Sequence, residues 1–164
     1  MNILFAAATI LWVGFAFVIG ALPPAAAQTV YSGGGSHFAV PEQLTWTDAP
    51  GVAPGAKIAV IEGPLNKPVP FTFRLMIPAN SKVAPHTHPA YERVTVLAGT
   101  FYVAEGDRFD PARAKALHPG SVAIMPPDTA MFGYTKEEGA VIQLHGTGPW
   151  GLKRIDSAAN LSKN

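Results

Sequence analysis

An all-β sandwich or barrel is the fold class that this 164-residue sequence predicts, and three observations carry the prediction. Glycine and proline stand at 16 each in a chain that is 48% hydrophobic, which describes many short strands joined by tight turns, not a helical bundle. Short apolar or alternating segments recur along the chain, Phe71 to Ile77 being the clearest: its odd positions are all bulky and apolar, as in a half-buried strand. Turn signals separate these segments, among them Pro78-Ala79-Asn80-Ser81, His118-Pro119-Gly120, Pro126-Pro127-Asp128-Thr129 and Lys136-Glu137-Glu138-Gly139. The length suits one domain.

The elements follow in order. Ile3 to Leu22 carries no charge and is almost wholly apolar, and it is followed by Pro23-Pro24 and Ala25-Ala26-Ala27. An apolar run ending in an A-x-A pattern reads as a secretory signal peptide, here residues 1–27. The run is also about 20 residues, enough to span a bilayer, so an N-terminal membrane anchor is the alternative. Either reading sends the rest of the chain across a membrane, to a periplasmic or secreted location, with membrane contact only through this segment. Residues 28–56 form a leader and first strand, beginning with the linker-like Tyr31-Ser32-Gly33-Gly34-Gly35-Ser36. The domain proper is expected over 57–156, with strands over 57–62, 71–77, 83–88, 91–97, 100–104, 121–125, 131–135, 140–145 and 152–155. Asp110 to Leu117 is the one helix-like piece, with Asp110 placed to cap it and Pro111 at its first position. Residues 157–164 form a polar tail.

Composition also excludes partners. Charged residues make up 14% of the chain and the net charge is +1, with no basic cluster, so a nucleic-acid partner is not expected. The absence of cysteine removes disulfides and thiolate metal sites.

The chemistry concentrates in Pro85 to Phe101, PHTHPAYERVTVLAGTF. His86 and His88 are two apart and share one face of a strand. Glu92 shares parity with Val94 and Val96, which places a carboxylate on the buried side of the next strand, a costly position unless it is paired or binds a metal. Two imidazoles and a carboxylate on one interior form a ligand set for a divalent metal that leaves positions open for water or substrate.

This segment resembles the first motif of the cupin superfamily, G-x5-H-x-H-x3-E-x6-G, through His86, His88, Glu92 and Gly99, with Asn80 in place of the leading glycine. The second motif, G-x5-P-x-G-x2-H-x3-N, is matched by Gly120 and Pro126, while Asp128, Met131 and Thr135 stand where the glycine, histidine and asparagine are usual. With its ending Gln143-Leu144-His145-Gly146-Thr147-Gly148-Pro149, the chain looks like a small exported bacterial single-domain cupin of undefined activity. The resemblance implies a double-stranded β-helix, or jelly-roll barrel, with the short helix in a connection. It further implies one divalent transition metal (iron, manganese or zinc; copper less so) on His86, His88 and Glu92, and a homodimer. The fourth ligand of the family is replaced by Met131, whose soft thioether suits Cu(I) and is a poor ligand for the others, so Met131 reads as a pocket wall.

Val141, Gln143 and His145 share one strand face and Ile142 and Leu144 the other. If the first face looks into the barrel, Gln143 and His145 join Met131 at a substrate pocket; if not, they face solvent. Phe71, Phe73, Val94, Val96, Ile124 and Met131 are expected to line that pocket. Two functions follow: a metal-dependent enzyme acting on a small molecule, by dioxygenase, isomerase, decarboxylase or lyase chemistry, or a non-catalytic small-ligand or sensor module with a degenerate metal site.

Overall fold

The computed structural model describes residues 29–155. The expected signal or anchor segment, 1–27, and the polar tail, 157–164, lie outside the described residues. Eleven strands are formed among the described residues: β1 (Thr47–Asp48), β2 (Lys57–Glu62), β3 (Pro70–Ile77), β4 (Lys82–Thr87), β5 (Glu92–Gly99), β6 (Phe101–Glu105), β7 (Lys115–Leu117), β8 (Val122–Met125), β9 (Met131–Tyr134), β10 (Ala140–Thr147) and β11 (Lys153–Arg154). They make two antiparallel sheets, one ordered β1-β2-β3-β10-β5-β8 and the other β11-β4-β9-β6-β7. This is the all-β, double-stranded β-helix architecture that the strand pattern and the motif resemblance call for.

Alternation builds the core. In β3, Phe71, Phe73, Leu75 and Ile77 are buried while the residues between them are not; in β10, Ala140, Ile142 and Leu144 are buried. The ladder sets Leu144 opposite Phe73 and Ile142 opposite Leu75, so the apolar rows align across strands. Val94 and Val96 of β5 continue the same face, and Val83, Phe101, Val103 and Met131 enter from the second sheet. One apolar cluster thus fills the space between the sheets, each large side chain contributing about 1.5–3 kcal/mol.

Two local expectations change. The helix over 110–117 is a single 3-10 turn, Pro111–Arg113, with Asp110 accepting from the Ala112 N–H as its cap. The next residues, Lys115–Leu117, pair with Val103, Tyr102 and Phe101 instead, because an edge of the second sheet is available to them. A three-residue turn forms too few internal hydrogen bonds to compete with that ladder. The leader is also not a free linker: Tyr31 exchanges backbone hydrogen bonds with Ile61 (2.8 Å) and Gly63 (3.1 Å), and its hydroxyl donates to the Gly35 carbonyl (3.0 Å).

The departures from glycine in the motifs have a backbone explanation. Asn80 (φ 54°) and Asp128 (φ 60°) both adopt the left-handed conformation, which Asn and Asp tolerate best among residues other than glycine. Thr135, where asparagine is usual, is buried; its hydroxyl donates to the Pro78 carbonyl and accepts from the Ser81 N–H, tying β9 to the turn before β4.

Candidate functional site

A β-bulge aims the histidines. Val83 and Pro85 of β4 are buried at odd positions, yet His86 and, just past the strand, His88 are buried at even ones. Strict alternation forbids this. The β4–β9 ladder slips between Val83 and His86, which inserts a residue and turns His86 and His88 inward. Glu92 begins β5 on the inward face it shares with Val94 and Val96. His86, His88 and Glu92 are 4%, 4% and 5% exposed, so all three polar groups are inside the barrel.

Their environment keeps them neutral. Burial pushes the Glu92 carboxyl up to about 8. Burial lowers His86 to about 4; the hydrogen bond to Ala84 opposes this, and the charges of His88 and Arg154 add to it. Burial also lowers His88, against the pull of its hydrogen bond to Gly151. His88 Nε2 lies 3.3 Å from Glu92 Oε1. That distance suits an ion pair, but with His88 lowered and Glu92 raised by burial the contact is between two neutral groups.

These residues fit a divalent metal on two counts. Nδ1 of His86 donates to the Ala84 carbonyl and Nδ1 of His88 to the Gly151 carbonyl, each at 2.7 Å. A carbonyl only accepts, so each Nδ1 carries the proton and each Nε2 keeps its lone pair, the tautomer a metal-ligating histidine needs. Second, His88 Nε2 and Glu92 Oε2 are buried with no hydrogen-bond partner beyond the 3.3 Å approach of Glu92 Oε1 to His88 Nε2. As the side chains stand, no group of three or more His, Cys, Asp and Glu among the described residues is arranged to hold an ion, so binding requires His86, His88 and Glu92 to draw together.

Met131 is buried and pairs opposite His86 in the ladder. It lines a cavity of about 20 Å³ together with His86, His88, Glu92, Leu75, Ile77, Ile142 and Trp150. A larger open groove, about 1270 Å³, runs past Lys82, Arg108, Phe109, Arg113 and Arg154 but includes none of His86, His88 and Glu92. The smaller cavity is the candidate site, because the polar atoms without partners belong to residues that line it.

Three sequence expectations do not hold. Gln143 and His145 are not in the pocket: Ile142 and Leu144 take the inner face of β10, His145 is exposed, and Gln143 Oε1 accepts from Arg74 Nε at 3.1 Å on the outer face. Ile124 is 58% exposed on the outer face of the edge strand β8. Phe71, Phe73, Val94 and Val96 belong to the core without lining the cavity.

Trp150 was not legible as a site residue. Its ring stacks on His88 (4.7 Å between centroids, 19°) and meets Phe73 edge-on (4.7 Å, 60°). Its backbone N–H donates to the Leu65 carbonyl at 2.7 Å, and Gly148 N–H donates to Val69 at 2.9 Å, so the loop is pinned over the site. The signal available in the sequence was a lone tryptophan in a Gly/Pro loop, an apolar surface too large to leave in water.

No protein-family model matches the chain, and no curated protein sequence matches it. Solved structures do. The polyketide cyclase RemF from Streptomyces resistomycificus superposes with a TM-score of 0.64 at 12% identity, over 79% of this chain and 94% of that one. A cupin 2 conserved barrel domain protein from Rhodopseudomonas palustris gives 0.56 at 10% identity, over 76% and 88%. KdgF from Halomonas gives 0.53 at 19% identity, over 70% and 96%. The chain has the double-stranded β-helix fold of the cupins.

Proposed function

We propose that this cupin-fold chain binds one divalent transition metal (iron, manganese or zinc) through His86, His88 and Glu92 and acts on a small molecule at the positions left open. The observation that carries the proposal is the pair of buried atoms without partners, His88 Nε2 and Glu92 Oε2, in a cavity whose histidines have their Nδ1 protons already engaged. Buried polar atoms of this kind are rare, and a metal satisfies both at once. When bound, the metal supplies Lewis-acid or redox chemistry at the small molecule. The protein's part is to hold two neutral imidazoles and release the Glu92 proton, while the apolar walls Leu75, Ile77 and Ile142 exclude water.

Elemental analysis after loading with Fe(II), Mn(II) or Zn(II), on protein freed of tag histidines, tests this directly. The wild type should hold near-stoichiometric metal and His86→Ala almost none; negligible metal in the wild type would sink the proposal.

Met131 favours a second reading, a non-catalytic small-ligand module, because a thioether faces the cavity where a fourth imidazole would strengthen metal binding. The two readings separate on Met131→His. Placed opposite His86, the new imidazole should raise zinc affinity by about tenfold or more, measured by competition with a chromophoric chelator. An unchanged affinity would show that the position does not reach the metal.

A further inference from the structure

We propose that the indole N–H of Trp150 is a specificity-determining donor, which fixes an acceptor oxygen of the small molecule beside His88 and Glu92. This deepens the reading above and rests on it only in that the cavity takes a ligand. Among the described residues, three buried side-chain polar atoms have no hydrogen-bond partner: His88 Nε2, Glu92 Oε2 and Trp150 Nε1. All three belong to residues lining the same cavity. Two of them carry lone pairs for a metal or a proton, whereas an indole N–H can only donate. The group it meets must therefore accept, as a carboxylate or hydroxyl oxygen does and an ammonium or hydrocarbon does not.

The ring is held in place. It lies flat on His88 and edge-on to Phe73, its own backbone N–H is bonded to Leu65, and the carbonyl of the next residue, Gly151, takes the His88 Nδ1 proton. One short loop therefore positions both the histidine ring and the donor. A volume of about 20 Å³ exceeds the roughly 10–15 Å³ that a single water needs, and is far below the several hundred that a drug-sized molecule fills. The cavity thus takes one small oxygen-bearing group, and the ligand class is a small carboxylic or hydroxy acid presenting that group inward.

Formate, the smallest carboxylate, is the probe. It is titrated into ¹⁵N-labelled protein at pH 6.5, with and without zinc, while the Trp150 indole resonance is followed. The resonance should move downfield and saturate. In Trp150→Phe, which keeps an aromatic ring over His88, formate should bind about tenfold more weakly, the factor a single buried hydrogen bond is worth, at unchanged zinc content. An indole resonance that stays still, no formate binding to the wild type, or undiminished binding to Trp150→Phe would each overturn the proposal. Should the variant not fold, the wild-type titration decides alone, on a resonance assigned through backbone connectivity. The zinc-free arm separates this proposal from the metal: failure to load zinc would sink the metal reading and leave the indole shift to be read.

Discussion

Glu92→Gln should make the metal-free protein more stable at pH 8 while removing its capacity for metal. Glu92 titrates near 8 in the fold and near 4.5 when unfolded, because burial opposes its charge. Between those values the folded state holds a proton that the unfolded state has released. The stability from this group is complete below 4.5 and is lost as pH rises through 8. His86 has the opposite sign: it titrates near 4 in the fold against 6.5 unfolded, so its contribution is complete above 6.5 and is lost as pH falls toward 4. His88 is lowered too and acts in the same direction as His86. Between pH 6.5 and 8 only Glu92 remains, and the wild type should lose stability at up to about 1.4 kcal/mol per pH unit.

The glutamine variant carries no such proton and should be flat over that window. From pH 6.5 to pH 8 it should gain about 1–2 kcal/mol on the wild type. Urea denaturation with chelator at pH 6.5 and 8, paired with elemental analysis of loaded protein, reads both effects. Parallel pH profiles for the two proteins would show that Glu92 is not a buried, proton-holding group. The same linkage makes metal affinity fall about tenfold per pH unit below 8, because Glu92 must lose its proton before it can ligate.

Gly99→Ala should cost about 3 kcal/mol or more, and lower the melting temperature by roughly 10 °C, without touching the site. Gly99 ends β5 with φ 68°. A Cβ there would overlap the Gly139 carbonyl oxygen and come within 3.0 Å of its carbon and 3.1 Å of the Ala140 Cα. These are backbone atoms at the start of β10, which cannot rotate away, and Gly99 is ladder-paired with Ala140. The left-handed backbone alone costs an alanine about 1–2 kcal/mol, and the overlap adds to it. Asn80→Gly, which restores the other glycine of the motif, should change stability by less than about 1 kcal/mol, since Asn80 already adopts the conformation that glycine would. Thermal melts of both variants check the contrast; an alanine at 99 with wild-type stability would contradict the close approach.

The spacing of His86, His88 and Glu92 marked them as a set, and the parity of Glu92 with Val94 and Val96 put the carboxylate inside, where the fold has it. Parity failed for Gln143 and His145, because a strand of alternating residues has two faces and period two does not say which is inner. Ile142 and Leu144 win that face because they meet Leu75 and Phe73 across the ladder. The Asp110 cap was legible, but the helix it promised gave way to a strand, because the open edge beside β6 is a property of the assembled sheet. Trp150 lies 62 residues beyond His88, and no local pattern ties the two rings that stack in the fold.

Alternation, turn residues and motif spacing are local quantities, written in consecutive residues, and they were enough to specify an all-β barrel and to single out His86, His88 and Glu92 as a set. Burial of the two histidines rests on a register slip between β4 and β9, and closure over the three side chains rests on a loop pinned to Leu65 and Val69. Both depend on contacts between residues distant in the chain, whose energies come into being only when the sheets pack. Tertiary structure therefore decided which faces became the interior, and which tryptophan completed it.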